Sequence, residues 1–214
     1  SWSNRAVMTG NGYHNEAQGF GRTSSFSTAG EDIAIFHDSA GDDTYVAWSH
    51  RAVLYGNGFF NKSYAFAKTY AYASAGNDLA VFYDSTGDDT YLAWSNRSVL
   101  QGDGFLNDAR NFSRVYANST AGNDRAIFYD SVGDDLYQTW SNRSIMAGVG
   151  YFNSAKGFQQ SYAYASEGID RAIYYDSSGD DDVYALAWGT YLTDGKFCNE
   201  SRGFDRVSIY QQQG

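Results

Sequence analysis

The sequence predicts an all-β repeat protein, folded as a parallel β-solenoid, from three observations. The first is composition. The 214 residues include no Pro, 23 Gly and 19 Tyr, and aromatics reach 18%. Helix-favouring Leu, Glu and Lys are scarce, whereas Tyr, Phe, Val and Ile alternate with Gly, Asn, Asp and Ser clusters that read as strands and turns. A chain without Pro suits long sheets in which most backbone N–H groups are used. The second observation is a period: Trp2, Trp48, Trp94 and Trp140 stand 46 residues apart. The third lies inside the period, where two halves of 22 and 24 residues resemble each other.

The period divides one repeat domain, 1–214, into units of about 1–42, 43–88, 89–134 and 135–180, with atypical coils at 181–214. Four further columns keep the register. They are Arg5, Arg51, Arg97 and Arg143; Gly10, Gly56, Gly102 and Gly148; Asp32, Asp78, Asp124 and Asp170; and Asp38, Asp84, Asp130 and Asp176. The last unit breaks the pattern: Trp188 follows Trp140 after 48 residues, and Tyr191 stands where Arg is expected. An atypical terminal unit is what a repeat array needs as a cap.

Within residues 43–88, Thr44-Tyr45-Val46-Ala47-Trp48-Ser49 parallels Thr69-Tyr70-Ala71-Tyr72-Ala73-Ser74, and Ala52–Tyr55 parallels Ala80–Tyr83. Each half then reads as two short strands and a corner, one solenoid coil of ~23 residues. Like residues of successive coils should stack ~4.8 Å apart. A β-propeller is the alternative, because a four-stranded blade also takes ~40–45 residues. The likeness between halves favours the solenoid, since a blade has no reason to show it.

Strand side chains alternate in direction, and the columns assign the faces. Ala34, Ala80, Ala126 and Ala172, with Phe36, Phe82, Phe128 and Tyr174, keep one character and should form the core. The Leu79 column accepts Arg125 and Arg171, so it faces water. The intervening Ile35, Val81, Ile127 and Ile173 then form an outer apolar strip with Tyr83-type residues.

The formal charge of −10 argues against a nucleic-acid partner, which needs a basic surface. It permits cations such as Ca²⁺. No apolar run suggests membrane insertion. The single Cys198 rules out an intrachain disulfide. The chain opens at Ser1 in mid-repeat, which reads as a piece of something longer with flanking domains. Open sheet edges at solenoid ends allow end-to-end association.

Two motifs carry chemistry. The first is the turn Gly76-Asn77-Asp78 … Tyr83-Asp84-Ser85-x-Gly87-Asp88-Asp89. Short Asp side chains can cap tight corners, or the stacked turns can offer hard oxygen ligands to Ca²⁺. The candidate metal ligands are Asp78, Asp84, Asp88, Asp89, Asp124, Asp130, Asp134 and Asp135. The second motif is Trp-Ser-x-Arg: Trp48 with Arg51, Trp94 with Arg97, and Trp140 with Arg143. Together with Tyr83 and Tyr129, these residues are candidate ligands of a polysaccharide, aromatic faces stacking on sugars and Arg donating to hydroxyls or carboxylates. Pairs on every second coil would stand ~10 Å apart. The plain alternative is that Trp packs a corner and Arg pairs with a stacked Asp.

Catalysis finds less support. His14, His37 and His50 occupy columns that other units fill with Phe, Leu, Tyr or Asn, unlike a general base. The irregular region, Asp180–Asp182 with Asp194, Lys196, Glu200 and Arg202, is where a polysaccharide lyase or hydrolase site would sit.

The run Tyr70-Ala-Tyr-Ala-Ser-x-Gly-x-Asp-x-Ala-x-Phe-Tyr-Asp-Ser-x-Gly-Asp-Asp-Thr-Tyr91 resembles repeats of large secreted or cell-surface bacterial proteins. Its turns are also similar to the Ca²⁺-binding nonapeptide of RTX repeats, although the two Gly-x-Asp elements lie 11 residues apart instead of nine. The resemblance implies an extracellular, non-catalytic module for adhesion or carbohydrate binding, or a passive stalk.

Overall fold

The computed structural model describes residues 1–28 and 30–211. These residues form strands and turns without a helix. The first unit holds β1 (Arg5–Gly10), β2 (Tyr13–Gln18), β3 (Arg22–Phe26) and β4 (Ile33–His37). The second holds β5 (Thr44–Trp48), β6 (Arg51–Gly56), β7 (Phe59–Tyr64), β8 (Lys68–Tyr72) and β9 (Leu79–Tyr83). The third holds β10 (Thr90–Ala93), β11 (Arg97–Gly102), β12 (Phe105–Arg110), β13 (Arg114–Asn118) and β14 (Arg125–Tyr129). The fourth holds β15 (Leu136–Trp140), β16 (Arg143–Gly148), β17 (Tyr151–Lys156), β18 (Gln160–Tyr164) and β19 (Arg171–Tyr175). The last holds β20 (Asp182–Leu186), β21 (Gly189–Thr193), β22 (Cys198–Arg202) and β23 (Arg206–Tyr210).

A complete unit therefore has five strands, not four. Its first three form an antiparallel meander within one sheet, as in β5-β6-β7. Asn57-Gly58 makes the second turn of that meander, with Gly58 at φ 81° in the left-handed region that a two-residue hairpin uses. The chain then crosses to the facing sheet at β8, returns at β9 and crosses again at β10. The result is a 10-stranded sheet, β20-β21-β22-β18-β14-β10-β11-β12-β8-β4, facing an 11-stranded sheet, β23-β19-β15-β16-β17-β13-β9-β5-β6-β7-β3. The hairpin β1-β2 pairs only with itself.

The parallel solenoid expected from the sequence is present, with about five turns. Its coil is longer than expected. Crossing strands pair in parallel at offsets of about 35 residues, as Thr44 with Leu79 and Arg125 with Gln160, and not about 23. The half-unit likeness misled because it matched unlike strands. Ala52–Tyr55 lies in β6, the reversed middle strand of a meander, whereas Ala80–Tyr83 lies in the parallel crossing strand β9. Likewise Tyr45 is fully buried while its supposed match Tyr70 is half-buried.

The assigned core face is correct. Ala80, Ala126, Phe82, Phe128 and Tyr174 are all 0% exposed. Tyr45, Tyr91 and Tyr137 fill the space between the sheets and touch several rings each. Tyr91 lies 6.0 to 6.2 Å from Phe82, Phe128 and Phe158, centroid to centroid. The apolar strip also faces outward, Ile35 on the edge strand being 46% exposed and Val81, Ile127 and Ile173 half-buried.

Candidate functional site

Three crossings per unit is an odd number, so successive meanders alternate between the sheets. Trp48 and Trp140 belong to the 11-stranded sheet, and Trp94 adjoins β10 in the 10-stranded sheet. Five strand steps separate Trp48 from Trp140, or ~24 Å. The ~10 Å spacing expected from 23-residue coils is not formed.

In place of that spacing, each sheet carries one outward row in which almost every strand contributes a large side chain. In the 11-stranded sheet, register places Phe26, Tyr64, Arg51, Trp48, Tyr83, Asn118, Lys156, Arg143, Trp140, Tyr175 and Tyr210 side by side. In the 10-stranded sheet the row runs His37, Tyr72, Arg110, Arg97, Trp94, Tyr129, Tyr164 and Arg202. The rings lie face to face: Trp48 on Tyr83 at 5.3 Å, Trp94 on Tyr129 at 5.0 Å, and Trp140 on Tyr175 at 4.7 Å. The opposite faces of the first two carry guanidinium groups, Arg51 4.0 Å above Trp48 and Arg97 5.7 Å above Trp94. All eight residues singled out as polysaccharide ligands thus lie on these rows. The rows also recruit His37, Tyr72, Tyr164, Tyr175 and Tyr210, which sequence reasoning passed over.

With both faces of Trp48 and Trp94 covered, a ligand meets ring edges and guanidinium groups in place of open aromatic faces. The Arg column has a second task. Arg97 Nη2 lies 2.8 Å and Arg110 Nη2 3.1 Å from the carboxylate of Asp108, whose side chain is 0% exposed. Asp108 belongs to a 46-residue column with Glu16, Lys62, Ser154 and Glu200. Arg5 pairs with Glu16 and Arg143 donates to Ser154, so the Arg partner changes from unit to unit. In the last unit Arg202 pairs with Glu200 and covers Trp188 at 4.5 Å, doing the work of the Arg replaced by Tyr191.

The acidic residues gather at the corners where the chain changes sheet. Three clusters form: Asp38, Asp43 and Asp78; Asp84, Asp89 and Asp124; and Asp130, Asp135 and Asp170. One ligand atom from each member lies within 4.8 Å of the others. Sequence reasoning placed Asp78 with Asp84 in one turn. They sit at opposite ends of β9: Asp78 joins the corner of Asp38 and Asp43, 35 or more residues earlier, whereas Asp84 stays with Asp89 in its own turn and is met there by Asp124. Asp38, Asp43 and Asp170 complete the clusters. Asp88 and Asp134 stand outside them and accept the Asn123 and Ile169 N–H at 2.8 and 2.9 Å.

Much of each cluster is engaged in holding the turns. The Ser85 N–H and hydroxyl donate to Asp89 Oδ2 at 2.9 and 2.8 Å, and the Asp89 N–H donates to Asp124 Oδ1 at 2.8 Å. The Thr120 N–H and hydroxyl each donate to Asp84 at 2.8 Å. Asp89 Oδ1 packs against Gly102, where an added Cβ would lie 1.6 Å from it. The same contact recurs at Gly56 with Asp43 and at Gly148 with Asp135, which accounts for Gly at these three positions of the column. Asp43 Oδ1 and Asp89 Oδ1 are buried without a hydrogen-bond partner. In the fourth unit the corresponding Asp135 Oδ1 accepts the Tyr151 hydroxyl at 2.8 Å, where the second and third units have Phe59 and Phe105.

Burial and neighbouring carboxylates push Asp78 up from 3.8 to about 6. Burial likewise raises Asp124 and Asp170. A proton or a cation relieves this crowding, and these all-oxygen clusters could hold a metal ion.

The irregular C-terminal region is less unusual chemically than its sequence. β20 is exposed along its length at the sheet edge. Asp194 caps the next turn, accepting the Lys196 and Phe197 N–H at 2.8 and 3.1 Å. No protein-family model matches the chain, and no curated protein or solved structure matches it.

Proposed function

We propose that the chain is a structural solenoid segment of a secreted or cell-surface bacterial protein, a stiff spacer that holds other modules apart. One observation carries this reading: the repeated side chains are occupied with one another. Trp48 lies between Arg51 and Tyr83, Trp94 between Arg97 and Tyr129, and the Asp side chains bind the N–H groups of stacked turns. The secreted setting rests on the resemblance of repeat style. Ca²⁺ suits the corner clusters, which offer only oxygen, and would reinforce the spacer by relieving carboxylate repulsion. The test pairs Trp94→Ala unfolding with electrophoresis through gels containing acidic or neutral polysaccharides. The expected result is a less stable variant, with neither protein retarded. Retardation of the wild type that Trp94→Ala abolishes without loss of stability would overturn it.

A second reading is favoured by the stack Trp94, Tyr129 and Tyr164, whose flanks are Arg97 and Arg202. An acidic polysaccharide lying across these ring edges would meet a cation at either end. The same gels distinguish the two readings.

A further inference from the structure

The two outer faces of the solenoid differ in charge, and the alternation of units between sheets is the cause. The column that holds Asp108 and Glu200 in the third and last units holds Lys62 and Ser154 in the second and fourth. The third and last meanders belong to the 10-stranded sheet, the second and fourth to the 11-stranded sheet. Both acids therefore fall on one face. There Arg97 and Arg110 pair with Asp108, Arg202 pairs with Glu200, and Lys68 pairs with Glu31 from the turn before β4.

The other face has no such partners. The nine interior strands of the 11-stranded sheet, from β7 across to β19, contain no Asp or Glu. Their outward positions carry Arg51, Lys62, Arg114, Arg143, Lys156 and Arg171. None of these six forms an ion pair with a carboxylate among the described residues. Arg51 Nε is buried without a hydrogen-bond partner, and Arg114, Arg143, Lys156 and Arg171 are exposed. This face is positive although the chain carries −10, because the acids beside it, Asp43, Asp78, Asp135 and Asp170, are buried in the corners.

The cations are spread over an area. Register sets Arg51, Arg143 and Lys156 in the row of Trp48 and Trp140. Arg114 and Arg171 stand four positions away along their strands, ~13 Å. From β7 to β19 is eight strand steps, ~38 Å. A linear polyanion follows one line, whereas a bilayer presents charge over a plane of this size. Between the cations lie the ring edges of Trp48, Tyr83, Trp140 and Tyr175, and Trp and Tyr beside Lys and Arg is the composition that headgroup layers favour. At the rim, Val149 in the turn between β16 and β17 is 95% exposed.

We propose that the outer face of the 11-stranded sheet docks flat on an anionic lipid bilayer. The six cations meet lipid phosphates, the ring edges reach the headgroup layer, and the chain lies on the bilayer without crossing it. The acidic corners and the charge-paired opposite sheet fix which face turns to the lipid. This goes beyond the spacer reading and does not rest on it.

The test is co-sedimentation of the full chain with vesicles of phosphatidylglycerol and phosphatidylcholine, against vesicles of phosphatidylcholine alone. Binding to the anionic vesicles only is expected, and it should weaken as salt is raised. The exposed pair Arg114→Glu with Arg171→Glu should bind at least ~10-fold more weakly. Lys68→Glu with Arg125→Glu makes the same change of charge on the opposite sheet and should stay within about twofold of the parent, as a face turned away from the lipid predicts. Circular dichroism melts confirm that both variants fold. No binding to anionic vesicles, equal binding to both vesicles, or equal loss in both variants would overturn the proposal. So would retardation in gels of acidic polysaccharide without vesicle binding, which would assign the face to a soluble polymer. Trp94 lies on the other sheet, so this test and the Trp94→Ala gels fail independently.

Discussion

The side-chain amide of Asn153 donates to the main-chain carbonyl of Trp94 at 2.9 Å, tying β17 in one sheet to the end of β10 in the other, 59 residues apart in sequence. The bond recurs at the same separation from Asn61 to Trp2, Asn107 to Trp48 and Asn199 to Trp140. Asn153 is 2% exposed, so the carbonyl has little access to water as a substitute. Asn153→Ala should therefore destabilise the chain by about 2 kcal/mol, the cost of a buried polar group left unpaired. Urea unfolding measures it.

The buried Asp89 Oδ1 without a partner predicts a stabilising substitution. Phe105 occupies the column in which Tyr151 donates to Asp135. Phe105→Tyr should add the missing hydrogen bond and raise stability by about 1 kcal/mol, and Tyr151→Phe should lower it by a similar amount. Thermal unfolding of the two variants should shift in opposite directions.

Two glycines near the same corner should behave differently. A Cβ on Gly102 would lie 1.6 Å from Asp89 Oδ1, whereas a Cβ on Gly87 would come no closer than 3.5 Å to Ser85 Oγ. Gly102→Ala should cost about 2 kcal/mol or more through displacement of the carboxylate. Gly87→Ala should lie within about 0.5 kcal/mol of the parent, as a surface substitution without a clash. The difference between their unfolding midpoints is the measurement.

The corner clusters make stability depend on pH. Asp78 keeps its proton to about pH 6 when folded, against 3.8 for the ordinary carboxyl. Between those values the folded chain binds more protons than the unfolded chain. This contribution is complete below about pH 4 and is lost as pH rises through 6. In the presence of a chelator, melting temperature should fall across that window, and Asp78→Asn should flatten the fall. Added Ca²⁺ at pH 7 should restore part of the loss if the ion occupies the corners.

Most of the local structure was legible in the residues. The constant Ala and Phe columns mark the core, because side-chain alternation acts over a few positions, whereas the hairpin at Asn57-Gly58 goes unread and each unit reads as four strands in place of five. The outward rows were legible in part. Trp48 and Arg51 stand out by period, but Tyr164 and Tyr210 enter the rows only through parallel pairing. The acidic clusters escaped for the same reason: Asp124 meets Asp84 and Asp89 across a coil whose length was misread.

By itself, the sequence determined the all-β class, the positions of turn residues, the 46-residue period and the core-facing side of the Ala/Phe strands. These follow from propensity, glycine geometry and side-chain alternation, all of which are local. Tertiary structure decided which sheet each strand joins, and hence the 35-residue coil, the alternation of the Trp residues between sheets and the membership of every corner cluster. The reason is that Ala52–Tyr55 and Ala80–Tyr83 present nearly the same side chains to a neighbour. Only the packing of whole sheets makes one the reversed centre of a meander and the other a parallel crossing strand.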